Sequence, residues 1–210
     1  MPFIEFVKSL RQRFDYNANV LTVCEWILIL SVYSLTRFAD PQWFVEYGIV
    51  ENMQLLTLFI GAIIAFTSKN EHKLFVVVGF FMLFLITRET NMGRSYFCEQ
   101  YLPADEVCKW GKFKYGYLVD MFRAIYILAL CIYFIKNKLW QPVIKYLNMA
   151  PFYVWDITAL LLTAFIGSIS EFKSIDNEIL EETCEFICYV AMLNCIIRYS
   201  RWQSNNKIKY

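Results

Sequence analysis

The chain has 210 residues, 58% of them hydrophobic, with a mean hydropathy of +0.40 and a net charge of +1. Soluble domains contain about 45–50% apolar residues, and nucleic-acid-binding proteins carry a basic excess, so both classes are disfavoured. Aromatic residues make up 19% of the chain, as in proteins whose rings anchor helices at the lipid–water interface. We therefore predict an all-α, polytopic transmembrane helix bundle that forms a single domain over residues 1–210.

Residues 1–19 precede the first apolar segment and are too polar to form the core of a cleavable signal peptide. Their apolar side chains recur at helical spacing with basic residues between them, as in an amphipathic helix at the membrane surface. A flexible terminus is the alternative, since the ends of most domains are poorly ordered. The pattern comprises Phe3, Phe6, Val7, Leu10 and Phe14, with Lys8, Arg11 and Arg13 between them.

A spanning helix needs about 20 mostly apolar residues. Six segments of the chain have an apolar stretch of about this length. In the third, the apolar run from Leu74 to Thr87 is short, so a full crossing carries Arg88 and Glu89 into the membrane. A short re-entrant helix is the alternative for this segment. The predicted spans are residues 20–38, 49–67, 74–92, 117–135, 152–170 and 180–198.

Lys and Arg are distributed unevenly between the two sides that six spans create. Because cytoplasmic loops carry an excess of Lys and Arg, we predict that the richer side is cytoplasmic and holds both termini, including the tail 199–210. The loop 93–116 is then the main external element, and a bacterial inner membrane is the expected location. The basic residues on the cytoplasmic side are Lys8, Arg11, Arg13, Lys69, Lys73, Lys136, Lys138, Lys145, Arg198, Arg201, Lys207 and Lys209.

Two of the seven cysteines, Cys98 and Cys108, lie in the predicted external loop. Disulfides form in oxidising compartments such as the bacterial periplasm, and closing a short loop stabilises a protein modestly. We predict a disulfide between these two residues, with two free thiols as the alternative. The other cysteines fall within spans, where cysteine usually acts as a small hydrophobe.

Charged and amide side chains occur in four spans at the depth of the outer leaflet, as counted back about 20 residues from each cytoplasmic helix end. Charged groups at membrane depth cost about 2.5–3.5 kcal/mol each on insertion scales, and they persist where they face the bundle interior and find partners. Their convergence at one depth predicts a ligand- or ion-binding site. The predicted site residues are Glu51, Gln54, Arg88, Glu89, Asp120, Arg123, Glu181, Glu182 and Glu185.

Carboxylates outnumber cations in this predicted site, where Arg88 and Arg123 are the strong cations. The surplus charge requires protonation, a bound cation or entry of water. Arginine stays charged when buried and grips carboxylates, so we expect Arg88 to pair with an acid of the second or sixth span. Pairs that only fix helix packing are the alternative. If a divalent cation binds as a cofactor, hard oxygen ligands suit it, and Glu89, Glu181 and Glu185 are the predicted ligands.

Two further acids, Glu25 and Asp156, lie near the cytoplasmic ends of their spans. Acids near helix starts are common, and we favour capping or an interfacial position over a proton relay. His72 is the only histidine and falls in a short cytoplasmic loop. A Ser–His–Asp arrangement on the external side and a histidine-rich zinc site are therefore excluded.

Three classes of function remain, since intramembrane ionisable groups generally mark functional sites. The first is a non-enzymatic envelope protein whose site binds a cation, a polar head group or a partner in sensing or assembly. The second is a proton- or cation-coupled transporter or channel subunit, and the third is a carboxylate-metal enzyme acting on a lipid or lipid-linked phosphate. The expected partners are the lipid bilayer and either a second copy of the chain or another membrane protein, without nucleic acid.

Overall fold

A computed structural model describes residues 13–40, 43–44, 48–90, 116–170 and 178–202 of the protein. Within these ranges the chain is mostly helical, with seven helices and two short strands. The strands are β1 (Phe14–Asp15) and β2 (Phe152–Tyr153). The helices are α1 (Val20–Phe38), α2 (Ile49–Thr67), α3 (His72–Glu89), α4 (Tyr117–Lys136), α5 (Trp140–Met149), α6 (Val154–Ser170) and α7 (Glu178–Arg201).

Each of the six long apolar segments predicted from the sequence overlaps one helix of the structure. Helices α1, α2 and α4 are long and apolar enough to cross a membrane, and α6 is apolar but shorter, at 17 residues. Helix α3 is unbroken over 18 residues and includes both Arg88 and Glu89. At 1.5 Å per residue this helix is about 27 Å long. The hydrocarbon core of a bilayer has a similar thickness, about 30 Å. Three long apolar helices indicate a membrane protein.

Helix α7 lies at the centre of the bundle and packs against α6, α2 and α1. It has 24 residues, and side chains such as Ile187 and Ala191 in its middle are completely buried. Helix α3 packs along α2, and α4 packs along α3. None of the side chains of α4 is buried, so this helix lies at the edge of the bundle.

The apolar core lies between α2, α3 and α7. Helices α2 and α3 approach closely at Gly79, where an added Cβ would lie 2.7 Å from the Phe66 ring. Phe66 in turn packs edge-on against Phe80, with ring centroids 5.1 Å apart. Glycine at this position therefore permits the contact between the two helices. The core consists of Leu58, Ala62, Ala65, Phe75, Met82, Leu85, Tyr189 and Ile196.

The segment between α4 and α6 contains the short amphipathic helix α5, which is tied to neighbouring elements by polar contacts. Lys145 Nζ donates to Glu71 Oε1 at 2.7 Å, joining α5 to the turn between α2 and α3. Arg13 Nη2 donates to the Ala150 carbonyl at 2.9 Å, and its guanidinium lies 4.9 Å from the centroid of the Phe152 ring. Beside these contacts β1 and β2 form a two-residue parallel pair, a small exception to the predicted all-α fold.

The predicted disulfide lies outside the described residues, because Cys98 and Cys108 both fall between residues 90 and 116. The disulfide stays a prediction. The external loop 93–116, of which the structure describes residue 116, and the tail beyond residue 202 also stay predictions. In the predicted amphipathic or flexible segment 1–19, the structure describes residues 13–19. These form β1 and the cap of α1, where the Asn19 side chain accepts from the Thr22 backbone N–H at 2.8 Å.

Candidate functional site

Polar residues from three helices meet at one end of the bundle. Helix α2 begins there at Ile49, α3 ends there at Glu89, and α7 begins there at Glu178. The α2–α3 turn reverses the chain direction, so residues early in α2 face residues late in α3. We call this group the first cluster; it consists of Glu51, Gln54, Arg88, Glu89, Glu182, Glu185 and Tyr189.

Arg88, near the end of α3, forms an ion pair with Glu185 of α7 through its Nη2 and the carboxylate Oε1. This contact confirms the expected pairing of Arg88 with an acid of the sixth predicted span. The Arg88 Nε also lies 3.4 Å from Oε1 of Glu89. The side chain of Arg88 is 48% exposed, whereas those of Glu185 and Glu89 are 17% and 8% exposed. The Arg88 side chain therefore lies nearer the surface of the protein, and its two carboxylate partners are more buried.

Glu89 has a further partner in Tyr189, whose hydroxyl donates to Oε1 at 2.6 Å. Tyr189 is 4% exposed and belongs to the apolar core, so it joins the polar cluster to that core. It was not among the predicted site residues, because a tyrosine within an apolar span carries no charge signal. Its position four residues after Glu185 puts both on one helix face, and this spacing is the signal that could have indicated it.

Gln54 of α2 is completely buried, and its Nε2 donates to Glu182 Oε2 at 2.9 Å and to the Glu182 carbonyl at 3.1 Å. Its other amide atom, Oε1, is buried without a hydrogen-bond partner among the described residues. An unsatisfied buried acceptor costs about 1–3 kcal/mol, so this atom favours a bound group that donates to it. Glu51 is also buried and interacts electrostatically with Glu89 and Glu182.

Two predicted site residues contact each other instead of the first cluster. On α4, Arg123 Nη1 lies 3.8 Å from Asp120 Oδ1, and the Asp120 side chain is 76% exposed. This is a local pair between residues one turn apart on a helix at the edge of the bundle. Glu181 lies on α7 beside Glu182 and is half-buried. The structure thus assembles the predicted residues of α2 and α3 with Glu182 and Glu185 of α7, and it places those of α4 in a separate pair.

A cavity of about 210 Å³ lies beside the Arg88–Glu185 pair, between α3, α6 and α7. A water molecule occupies about 30 Å³, so the cavity has room for several waters, a hydrated ion or a small amine. Pockets for drug-sized ligands begin at about 300 Å³, so the size favours a small ligand or one end of a larger molecule. The lining residues from α6 are Thr163, Ala164, Gly167 and Ser168.

The first cluster supplies carboxylate oxygens, one guanidinium, one phenol and one amide. Among the described residues, no group of three or more His, Cys, Asp or Glu side chains is placed to hold a metal ion. The conditional metal ligands Glu89, Glu181 and Glu185 therefore stay a prediction from the sequence. Carboxylates with few cations nearby attract positively charged groups, so the chemistry of the cluster suits the binding of a cation.

A second buried polar cluster lies towards the other end of α7, between α1, α6 and α7. Asp156 of α6 is 1% exposed, and its Oδ2 lies 3.0 Å from Arg198 Nε. The Thr22 hydroxyl donates to Asp156 Oδ1 at 2.5 Å. Asn194 is completely buried and donates to Glu25 Oε1 at 3.0 Å. Asn19 also joins this second cluster through a hydrogen bond of 2.7 Å to the Asn194 side chain.

The second cluster corrects the interpretation of Glu25 and Asp156 as single acids that cap helices or reach the interface. Both are buried and bonded to side chains of other helices. Two sequence signals could have indicated this arrangement: Asn194 interrupts an apolar span, and it lies one turn before Arg198 on the same helix face. Comparisons of the chain with protein-family models, curated proteins and solved structures gave no match.

Proposed function

We propose that the chain is a membrane protein of about six spans with both termini in the cytoplasm. In this proposal the first cluster faces the external side and binds a small cation or a cationic head group, in an envelope sensing or assembly role. The observation that carries the proposal is that Glu185 lines a cavity of about 210 Å³, while Glu185 and Glu89 are both less exposed than Arg88, the cation that they share.

The proposed orientation is supported by basic residues at the end of the bundle opposite the first cluster. Lys69 and Lys73 flank the turn between α2 and α3, and Arg198 and Arg201 lie in the last turn of α7. Basic residues concentrate on the cytoplasmic side of membrane proteins. The first cluster, at the other end of these helices, then lies towards the external side.

Reporter fusions test the orientation. A reporter after Tyr210 and another at Asn70 should both read cytoplasmic, and one near Asp105 should read external, because the positive-inside rule places the basic loops in the cytoplasm. A periplasmic signal at Tyr210 or Asn70 would contradict the proposed topology.

The proposed ligand class follows from charge and exposure. Four acids of the first cluster, Glu51, Glu89, Glu182 and Glu185, are accompanied there by a single arginine. A cation that enters the cavity competes with Arg88 for Glu185, and the Arg88 side chain is already half-exposed. Its displacement therefore requires little further opening of the structure. Charged groups at membrane depth are expensive unless they are paired, so a bound cation would stabilise the folded state.

Thermal unfolding of the purified full-length protein in detergent tests cation binding. Sodium, calcium and ethanolammonium chlorides are compared at equal ionic strength with N-methylglucamine chloride, whose cation is much bulkier than the other three. A ligand present at a hundred times its Kd stabilises the folded state by about 2.7 kcal/mol, so at least one of the small cations should raise Tm.

The variant Glu185→Gln should lose this increase in Tm, because it removes one carboxylate beside the cavity. Asp120→Asn is the matched control; it removes an acid from the separate pair on α4 and should keep the increase. If none of the three cations raises Tm, or if the increase persists in Glu185→Gln, the proposed ligand class is wrong.

One observation favours a proton- or cation-coupled transporter as the second candidate. Helix α7 carries buried acidic clusters towards both of its ends, with Glu185 in the first and Asn194 and Arg198 beside acids in the second. Protein in liposomes with an internal pH-sensitive dye should then show cation-driven proton flux that Glu185→Gln abolishes. Equal traces for wild type, variant and empty liposomes would remove this candidate. The carboxylate-metal enzyme and the homo-oligomer stay predictions from the sequence.

A further inference from the structure

Glu25 is completely buried, yet its carboxyl group has few partners. Its Oε1 accepts from Asn194 Nδ2 at 3.0 Å. Its Oε2 is buried without a hydrogen-bond partner among the described residues. A neutral amide is thus the bonded partner of this carboxyl group, and an isolated ionised carboxylate is strongly disfavoured in such surroundings.

The nearby arginine is engaged by other groups. Arg198 of α7 forms the ion pair with Asp156 of α6, and its Nη2 donates to Thr22 Oγ1 at 3.0 Å and to the Asn17 carbonyl at 2.8 Å. Cys195 of α7 also lies close enough to interact with both carboxyl groups. Of the two arginines in α7, Arg198 is the one that contacts the second cluster, and it is paired with Asp156, so ionised Glu25 would leave a surplus negative charge.

We propose that Glu25 is a proton-binding site, separate from the first cluster, whose carboxyl group takes up and releases a proton. Protonation removes the surplus charge from the interior, and it leaves Oε1 free to accept from Asn194. A metal cation fits this position poorly, because Asn194 Nδ2 donates to Glu25 Oε1 and Arg198 Nη2 donates to Thr22 Oγ1, so hydrogen-bond donors already face two of the oxygen atoms that would coordinate it.

A water-accessible space lies next to the second cluster. A cavity of about 380 Å³ is lined by Asn17, Asn19, Tyr153, Arg198 and Arg201, among others. Two of these residues, Asn19 and Arg198, also belong to the second cluster. Hydrogen bonds from Asn19 to Asn194 and from Asn194 to Glu25 connect the wall of this cavity to the carboxyl group.

Dicyclohexylcarbodiimide tests the proposal on the full chain, because it adds to protonated carboxyl groups in apolar surroundings. The acid proton moves to a carbodiimide nitrogen while a carboxyl oxygen bonds to the central carbon. Peptide mapping should find the label on Glu25, and labelling should fall about tenfold per pH unit once the carboxyl group ionises. Glu25→Gln should lose this label and still fold, because glutamine keeps the acceptor for Asn194. The matched control Glu185→Gln should keep it.

Infrared spectroscopy provides a second measurement that does not depend on reagent access. Wild type should show the C=O band of a protonated carboxylic acid, and this band should lose intensity in Glu25→Gln. Absence of the band from wild type, or an equal band in the variant, would overturn the proposal. Protection of Glu25 from the carbodiimide by sodium chloride, but not by N-methylglucamine chloride, would also overturn it in favour of a cation site.

Discussion

Replacing Arg88 with alanine should destabilise the protein, because it leaves Glu185 and Glu89 without the cation that they share. Breaking a fully buried ion pair costs about 3–5 kcal/mol, whereas exposed pairs contribute about 0.2–1 kcal/mol. The Arg88 side chain is 48% exposed and that of Glu185 is 17% exposed. The pair falls between the two limits, so we expect a coupling energy of about 1–3 kcal/mol.

A double-mutant cycle measures this coupling. Wild type, Arg88→Ala, Glu185→Gln and the double variant are unfolded in mixed micelles with increasing sodium dodecyl sulfate, and helix content is followed by circular dichroism. Arg88→Ala should show the larger loss of stability, because it strands two carboxylates. Glu185→Gln should lose less, because it also removes one of the surplus negative charges. In the double variant, the loss should be smaller than the sum of the two single losses.

The pair of Asp120 and Arg123 on α4 is the matched control, since it joins the same types of charge within one exposed helix face. Pairs of this kind contribute about 0.2–0.5 kcal/mol. A coupling energy between Arg88 and Glu185 that does not exceed the coupling of the α4 pair would refute the reasoning. It would mean that the contact across helices does not hold α3 against α7.

Three further predictions concern packing, hydrogen bonding and the external loop. Gly79→Ala should destabilise the protein by about 1–3 kcal/mol relative to Gly61→Ala in the same unfolding assay, because an added Cβ lies 2.7 Å from a phenyl ring at the first position and 3.6 Å from its nearest neighbour at the second. Gln54→Leu should cost about 1–3 kcal/mol, because it removes the amide donor from a carboxylate; unchanged stability would contradict that hydrogen bond. Non-reducing mass mapping of protein from an oxidising compartment should find Cys98 linked to Cys108, and free alkylation of both without reductant would disprove the disulfide.

The positions of the long helices were predictable from the sequence alone. Residues 20–38 and 49–67 were predicted as apolar spans, and both form helices with these bounds. The physical reason is that a membrane requires backbone hydrogen bonds to be satisfied within each crossing segment, so apolar length alone identifies the helix. The short helix α5 was harder to predict, because its amphipathic pattern lies within a stretch that reads as a loop with two prolines.

Counting residues along the predicted spans grouped several side chains that contact one another in the structure. It brought together residues of α2, α3 and α7, including the contact between Arg88 and Glu185. It also included Asp120 and Arg123, which the structure places in a separate pair on α4. Sequence position fixes how deep a residue lies along its own helix, but it does not specify which helices are neighbours.

The second cluster depended on the tertiary structure. Glu25 and Asp156 are 131 positions apart in the chain, and each taken alone resembles an acid near a helix start. They become part of one buried network because α1 and α6 both pack against α7, which presents Asn194 and Arg198 to them. Composition and periodicity determined that this chain is a bundle of apolar helices. Which polar side chains meet inside it was decided by the faces that the helices turn towards one another. Burial removes water, so buried polar side chains must form their hydrogen bonds with neighbouring side chains.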